Sequence, residues 1–221
     1  MSRFVAIEGL EGAGKTTVVS SVRSTLLKAG VAAEDIVLTR EPGGTPMAEE
    51  IRALLLKPRD EQVTSLAEAY LFQAARAQHL HHLILPALSK GKWVICDRFL
   101  LSTYGYQLAD ESLTAHQLND LSSAIIDQCI PDLTILLDVD PETGLQRARA
   151  RGVLDRIESA GLEYFENVRR VLRDYLPKLS EENVVIDANQ PAEQVSREVA
   201  WEVSSYYCRT IDLEAGGALE P

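Results

Sequence analysis

Five short apolar runs punctuate the chain: Phe4–Ile7, Ile36–Leu38, Trp93–Cys96, Leu133–Leu137 and Val184–Ile186. Each is rich in β-branched or aromatic residues and stops near a Gly, a Pro or a charged residue. The apolarity is continuous rather than alternating, which predicts strands buried on both faces. Between the runs the spacing turns helical. Thr16–Lys28 carries Val18, Val19, Val22, Leu26 and Leu27; Met47–Leu56 carries Met47, Ile51, Leu54 and Leu55; Leu66–Leu88 is long and ends near Pro86. Short buried strands alternating with helices predict a parallel sheet covered on both sides. No internal repeat or low-complexity linker interrupts the pattern. One compact domain over residues 1–208 is expected, with the Gly-, Ala- and acid-rich 209–221 as a flexible tail.

Composition narrows the class. Of 221 residues, 46% are hydrophobic and 25% charged, which excludes a disordered chain or a small disulfide scaffold. Lysine and arginine number 22 against 33 acids, a net charge of −11. That balance argues against a nucleic-acid partner, because phosphate backbones select positive charge. It leaves room for a small local phosphate site. Cys96, Cys129 and Cys208 form no CxxC pair and no metal-ligand spacing, so reduced thiols are expected. Met1–Glu8 does not read as a signal peptide, and no apolar stretch approaches the roughly 20 residues that span a bilayer. The expectation is a cytoplasmic protein with no membrane partner.

Gly9-Leu10-Glu11-Gly12-Ala13-Gly14-Lys15-Thr16 matches GxxxxGK[ST], with a buried strand before it and a helical pattern after it. Glycines let the backbone curl until successive N–H groups point at one anion, and the helix that follows starts with its positive end there. Lys15 is placed to reach β- and γ-phosphates, and the Thr16 hydroxyl to hold Mg²⁺. No Asn-Lys-x-Asp guanine-reading segment accompanies the loop. A second charged pair, Asp97-Arg98, closes the third apolar run. Strand ends of open parallel sheets collect ligands, so Arg98 is positioned to grip a second phosphate near the first. A third feature is Arg147-Ala148-Arg149-Ala150-Arg151-Gly152, followed by Asp155-Arg156. Between Arg147 and Arg173 seven arginines face four acids, net positive inside an acidic protein. Arg147 and Arg151 share a helix face at i,i+4. Two readings stand: a solvated helix face, or a mobile phosphate-clamping lid over about 147–160.

Four segments together resemble the bacterial thymidylate kinase family. They are Glu8–Thr17, Thr39-Arg40-Glu41-Pro42-Gly43-Gly44-Thr45, Asp97-Arg98-Phe99, and Arg149–Arg156. The Arg-Glu-Pro-Gly-Gly-Thr run with the Asp-Arg pair is far more specific than the P-loop alone, and the resemblance runs from about Phe4 to about Ala188. It implies the nucleoside monophosphate kinase fold: a five-stranded parallel sheet with helices on both faces and a short arginine-rich lid. It implies transfer of the γ-phosphoryl of ATP to dTMP, giving dTDP and ADP for dTTP synthesis, with Mg²⁺, in a homodimer.

The resemblance also distributes roles. Gly9, Leu10, Glu11, Gly12, Ala13, Gly14, Lys15, Thr16 and Thr17, with Arg149 and Arg156, would bind ATP. Phe72 would stack on thymine, an aromatic face suiting a flat base; read alone, Phe72 is ordinary core. Arg76, i+4 from Phe72, would reach base O4. Ser102, Thr103, Tyr106 and Gln107 would lie near base N3 and the sugar, with the Tyr106 ring crowding a ribose 2′-OH. Arg40, Glu41 and Pro42 would order the wall near the acceptor phosphate, which Arg98 would grip. Glu11 would lie near the sugar 3′-OH and that phosphate. Catalysis would rest on Lys15, Arg98, Arg151 and Glu11. Thr16 would hold Mg²⁺; Asp97 would hold a metal-bound water or serve structure. Some relatives carry an arginine in the P-loop where this chain has Gly12, so the transition-state arginine is expected from the lid, Arg151 first and Arg149 and Arg156 next. After Gln107 this chain reads Leu108-Ala109-Asp110-Glu111-Ser112, where many relatives carry a glycine-rich run with an arginine. The edge of the acceptor site is therefore expected to be more open, or the loop shorter.

His79, His81 and His82 cluster on one predicted helix without a further ligand type and read as solvated or dimer-face histidines. Leu80, Leu83, Ile84 and Leu88 read as packing on the core or on a second subunit. Two alternatives are a related kinase for another pyrimidine monophosphate and a nucleotide-binding relative without catalysis.

Overall fold

The computed structural model of the chain describes residues 3–152, 156–157 and 160–216, with the side chains of Arg151 and of residues 212–216 outside the description. Each apolar run falls within a strand: β1 (Phe4–Gly9), β2 (Ile36–Arg40), β3 (Trp93–Asp97), β4 (Leu133–Asp138) and β5 (Glu182–Asp187). All pairings are parallel, in the order β2-β3-β1-β4-β5. Several strands run on past the apolar stretch. Glu8 and Gly9 still pair with Leu136 and Leu137, and Arg40 with Asp97. A ladder needs backbone groups rather than apolar side chains, so the polar ends stay in register and deliver Glu8, Arg40 and Asp97 to one edge. The expectation of burial on both faces fails at the sheet's two edges. Leu38 on β2 and Val185 on β5 are 43% and 47% exposed, because each of these strands has a neighbour on one side only.

The chain leaves β1 through α1 (Lys15–Lys28) toward β2. It leaves β3 through α5 (Leu100–Leu108) and α6 (Ala115–Ile126) toward β4, on the far side of β1. Right-handed crossovers in opposite directions put α1 and α5 on opposite faces. The crevice between the adjacent C-terminal ends of β1 and β3 is thus the topological switch point, where such sheets bind ligands. The long α9 (Ala192–Gly216) packs on α1, and α8 (Leu162–Tyr175) on α5. Along α8, Phe165, Val168, Val171 and Leu172 form the buried stripe. The domain end expected at 208 falls inside α9: Thr210 is buried, and Arg209 pairs with Glu182 of β5 at 2.6 Å. No helix of the described residues is long and apolar enough to cross a membrane.

The long helical pattern ending near Pro86 is not one uniform helix. It comprises α3 (Ser65–His79), a π-helical turn at Leu80–Ile84, and α4 (Leu85–Leu88). Proline lacks an N–H and its ring crowds the carbonyl four residues back. The wider turn accommodates this, with the Leu85 N–H donating to Leu80 O instead. Thr64 caps α3 through the Ala67 N–H. Leu80 and Ile84 enter the core, and Leu83 and Leu88 pack against it.

One close backbone contact joins the P-loop to α7 (Pro141–Arg151). Gly12 has φ 71°, and a Cβ there would lie 2.1 Å from Gly144 O; a Cβ on Gly144 would lie 2.5 Å from Glu11 O. Only glycine fits either position.

Candidate functional site

A cleft of about 980 Å³ opens at the switch point. The P-loop supplies Glu11, Gly12, Gly14, Lys15, Thr16 and Thr17; the end of β2 supplies Arg40, and the segment after it Glu41 and Pro42. Phe72 and Arg76 enter from α3, Asp97 and Arg98 from the end of β3, and Ser102, Thr103, Tyr106 and Gln107 from α5. The structure thus gathers residues from the whole first half of the sequence, and Arg147, Ala150 and Ile157 join them from the second. Gly9, Leu10 and Ala13 support the loop without lining the cleft: Leu10 and Ala13 are buried, and the Gly9 and Leu10 carbonyls accept from Lys15 Nζ at 3.0 and 2.7 Å. The P-loop–α1 junction presents a helix start for an anion, with Gly14 at φ 91° before Lys15.

At the centre, five side chains interlock. Arg98 donates from NH2 to Glu11 Oε1 at 2.7 Å and from NH1 to Ser102 Oγ at 3.0 Å. The Tyr106 hydroxyl donates to Glu11 Oε2 at 2.6 Å, and the Arg98 guanidinium lies 5.0 Å from the Tyr106 ring centroid. Glu8, fully buried, accepts from the Phe99 N–H at 2.8 Å and from the Ser102 N–H and hydroxyl. Burial disfavours every charge here, and the neighbours decide the outcome. Glu11 is nevertheless held below the usual carboxylate range by Arg98, Lys15 and the Tyr106 hydroxyl. Glu8 is pushed up by burial, which its hydrogen bonds from Ser102 and the charge of Arg98 do not fully offset. Arg98 is raised: Tyr106, Glu11, Asp97 and Glu8 outweigh its desolvation. Lys15 falls from 10.5 to about 8, through burial and then repulsion from Arg98. The site is a cationic pair held by carboxylates, with its charge poised for an anion.

The other end of the cleft is a buried polar chain. Arg76 donates from Nε to Glu41 Oε2 at 2.6 Å, from NH1 to Gln73 Oε1 at 3.2 Å, and from NH2 to Thr103 Oγ1 at 2.8 Å and Phe99 O at 3.2 Å. A guanidinium has five N–H groups, which leaves one on NH1 without a partner among the described residues. Glu41 Oε1 accepts from His79 Nδ1 at 3.0 Å, so Nε2 is left to accept from the Thr39 hydroxyl at 2.6 Å. Gly44 passes so close that a Cβ would lie 2.5 Å from this Nε2. Gln107 donates from Nε2 to Glu68 Oε2 at 2.7 Å, while its Oε1 is buried with no hydrogen-bond partner among the described residues.

The histidine expectation needs correction. His79 is fully buried in the Arg76–Glu41 chain rather than solvated, because the turn of α3 that carries Arg76 inward carries His79 with it. His81 and His82 are exposed, their rings 4.7 Å apart. The lid arginines diverge. Arg147 donates to Ala188 O at 2.7 Å and Asn189 O at 3.3 Å, beyond β5. Arg149 is exposed. The Arg151 side chain and Asp155 lie outside the described residues. Arg156 donates to Leu55 O at 3.0 Å and pairs with Glu68, on the Phe72–Gln107 side of the cleft. The 108–112 segment is a closed turn: Ser112 N–H and hydroxyl donate to Asp110 Oδ1, and the Ser65 hydroxyl donates to Asp110 Oδ2 at 2.6 Å.

The sequence reading missed several residues of this site. Arg52 on α2 (Pro46–Leu56) lines the cleft and donates to Pro42 O at 3.0 Å; its only signal was a basic residue between the apolar positions of that helix. Glu8, Glu68 and His79 act through contacts made only in the fold. Among the described residues no group of three or more His, Cys, Asp or Glu could hold a metal. The cleft does collect the hard oxygen donors Thr16, Glu11 and Asp97 at one end, a set that suits Mg²⁺ when phosphate oxygens complete the shell.

Comparison with known proteins agrees with this geometry. The family model described as thymidylate kinase matches residues 7–199. A thymidylate kinase of Hahella chejuensis is 47% identical over 197 residues, 89% of this chain and 93% of that one. A thymidylate kinase of Teredinibacter turnerae is 43% identical over 197 residues, 89% of this chain and 95% of that one. The crystal structure of a thymidylate kinase from Ehrlichia chaffeensis superposes with a TM-score of 0.70 at 33% identity, covering 90% of this chain and 96% of that one.

Proposed function

The chain belongs to the thymidylate kinase family and is an ATP:dTMP phosphotransferase, and from that premise we propose how its residues divide the work. The observation that carries the acceptor assignment is the orphaned Gln107 Oε1. A buried acceptor left unpaired costs roughly 1–3 kcal/mol. Thymine offers N3–H to it, whereas cytosine offers a lone pair at the same position. The spare NH1 hydrogen of Arg76 suits thymine O4 and would meet the cytosine amino group as donor against donor. Phe72 covers the base. Tyr106, fixed by its bond to Glu11, stands where a ribose 2′-OH would crowd it. Ser102 and Thr103 hold Arg98 and Arg76 in place, and Arg40, Glu41 and Pro42 form the wall beside the acceptor phosphate.

Arg98 grips the acceptor phosphate and Lys15 the donor's β- and γ-oxygens. The P-loop from Gly9 to Thr17 cradles the donor phosphates, Arg149 contributes to donor binding, and Glu11 holds Arg98 and faces the acceptor. Phosphoryl transfer asks little covalent chemistry of the protein; it asks for positioning and charge neutralisation. Thr16 would hold Mg²⁺, with Asp97 acting through water, and the ion would supply neutralisation of the donor phosphates. Arg151 in the lid, residues 147–160, supplies the transition-state charge. The protein is proposed to be one P-loop kinase domain that continues past residue 208 through α9, acting in the cytoplasm as a homodimer. The exposed Met47 and Leu54 on α2 and Leu66 and Tyr70 on α3 support that assembly; a monomer in sedimentation equilibrium would count against it.

The test is ADP release from ATP and Mg²⁺ with dTMP, dUMP, UMP, dCMP, AMP, GMP and thymidine. Strong turnover with dTMP, weaker with dUMP and none with thymidine is expected. Turnover of dCMP comparable to dTMP sinks the roles given to Gln107 and Arg76.

Lys15 gives a pH signature. In the free enzyme its pKa of about 8 means that kcat/KM for ATP falls as pH rises through that value, since the neutral amine no longer attracts phosphate. Bound phosphates restore the proton, so kcat holds to higher pH. For folding the sign is the reverse: between about 8 and 10.5 the unfolded chain binds the proton that the native state has released, so stability rises with pH. In Lys15→Arg the alkaline limb of kcat/KM should vanish. Its persistence there would assign the limb to another group.

A further inference from the structure

Glu68 lies on α3 with 8% of its surface exposed, and both carboxylate oxygens are engaged. Oε2 accepts from Gln107 Nε2 at 2.7 Å; Oε1 pairs with Arg156 NH2. Arg156 is itself anchored by Nε to Leu55 O at 3.0 Å, at the end of α2. A carboxylate of this kind can only accept. It therefore decides which end of the Gln107 amide faces it and which end faces the cleft. Without it the terminal amide torsion is broad and nearly two-fold, and the amide could turn its NH₂ toward the cleft. That orientation would favour a base with an acceptor at N3, such as cytosine.

We infer that Glu68 is a positioning residue that determines base specificity: it locks Gln107 with its oxygen inward, and Arg156 holds the carboxylate in place from its other oxygen. This rests on Gln107 facing base N3 as proposed above. Arg156 matters because, anchored on Leu55 O, it fixes the second carboxylate oxygen and so the direction in which the first one meets Gln107. In a low-dielectric setting the guanidinium also polarises the Glu68–Gln107 bond that follows. The chain Arg156–Glu68–Gln107 ends in a buried acceptor without a partner among the described residues, on a side chain that lines the cleft, and the donor that completes it is the base.

The experiment compares Glu68→Gln, Gln107→Leu and the unaltered enzyme, measuring kcat/KM with dTMP and with dCMP and direct binding of each by calorimetry. Glu68→Gln keeps the shape but has one oxygen for two donors. It should lower kcat/KM for dTMP by about 10–100-fold, the range of one charge-assisted hydrogen bond, with dCMP changed far less, so that the dTMP/dCMP ratio collapses. A role in folding alone would lower both substrates equally, and that result overturns the inference. If Gln107→Leu keeps the ratio, the reading of Gln107 itself fails. If the ratio collapses in Gln107→Leu but survives in Glu68→Gln, only the positioning role fails. Glu68→Asp, which keeps the charge on a shorter stem, should recover part of the ratio; recovery no better than in Glu68→Gln would also count against it.

Discussion

Replacing Arg98 with methionine should lower kcat/KM for dTMP by about 10³-fold, with a raised KM for dTMP and an ATP KM that moves much less. The guanidinium is held from three directions: by Glu11 at 2.7 Å, by Ser102 at 3.0 Å and under the Tyr106 ring. Its backbone has φ 70°, so the side chain is also aimed by an uncommon conformation. Without it the acceptor phosphate would approach Glu11 and Asp97 with no cation between them. Truncating one partner of a buried, hydrogen-bonded charge pair costs roughly 2–5 kcal/mol or more, before the contribution of the substrate phosphate is added. Part of the loss will be stability, because Glu11 becomes an unpaired buried charge. Arg98→Lys separates the two effects. It keeps the charge and should restore the melting temperature, yet a point charge cannot reproduce a two-pronged grip, so dTMP KM should stay raised. Full recovery of KM in the lysine variant would show that only charge matters at this position.

Arg151→Ala should lose about 10³–10⁵-fold in kcat, or ~4–7 kcal/mol of transition-state stabilisation, with little change in dTMP affinity. The surroundings narrow the choice of residue. Arg147 is committed to the Ala188 and Asn189 carbonyls and Arg156 to Glu68 and Leu55. Arg151 is the last residue of α7, beside Gly152. Single-turnover kinetics at saturating ATP and dTMP isolate the chemical step. An equal loss from Arg156→Ala with Arg151→Ala mild would move the role to Arg156.

The central architecture was legible because each strand carries a continuous apolar run and the P-loop spacing is specific. Phe4–Ile7 and Trp93–Cys96 announced adjacent inner strands, and Asp97-Arg98 the cleft-facing end of one of them. What escaped was of two physical kinds. Polar residues at strand ends, such as Glu8 and Arg40, carry no apolar signal, although the backbone ladder runs straight through them. Buried polar chains join residues remote in sequence: His79 to Glu41 and Thr39, Glu68 to Gln107 and Arg156. No spacing rule reaches across those separations, so His79 looked like one more surface histidine. The π-helical turn at Leu80–Ile84 was signalled by Pro86, which marked an irregularity without saying what form it would take.

The contact between Gly12 and Gly144 sets a limit on redesign. Grafting an arginine into this P-loop at Gly12 would drive its first side-chain atom into the Gly144 carbonyl, and the obstacle is backbone, which cannot swing aside like a long side chain. The graft could succeed only if α7 moved away, and α7 is the helix that carries Arg147, Arg149 and Arg151. In this scaffold a catalytic charge from the loop and one from the lid are therefore rival solutions, and acquiring the first means dismantling the support of the second.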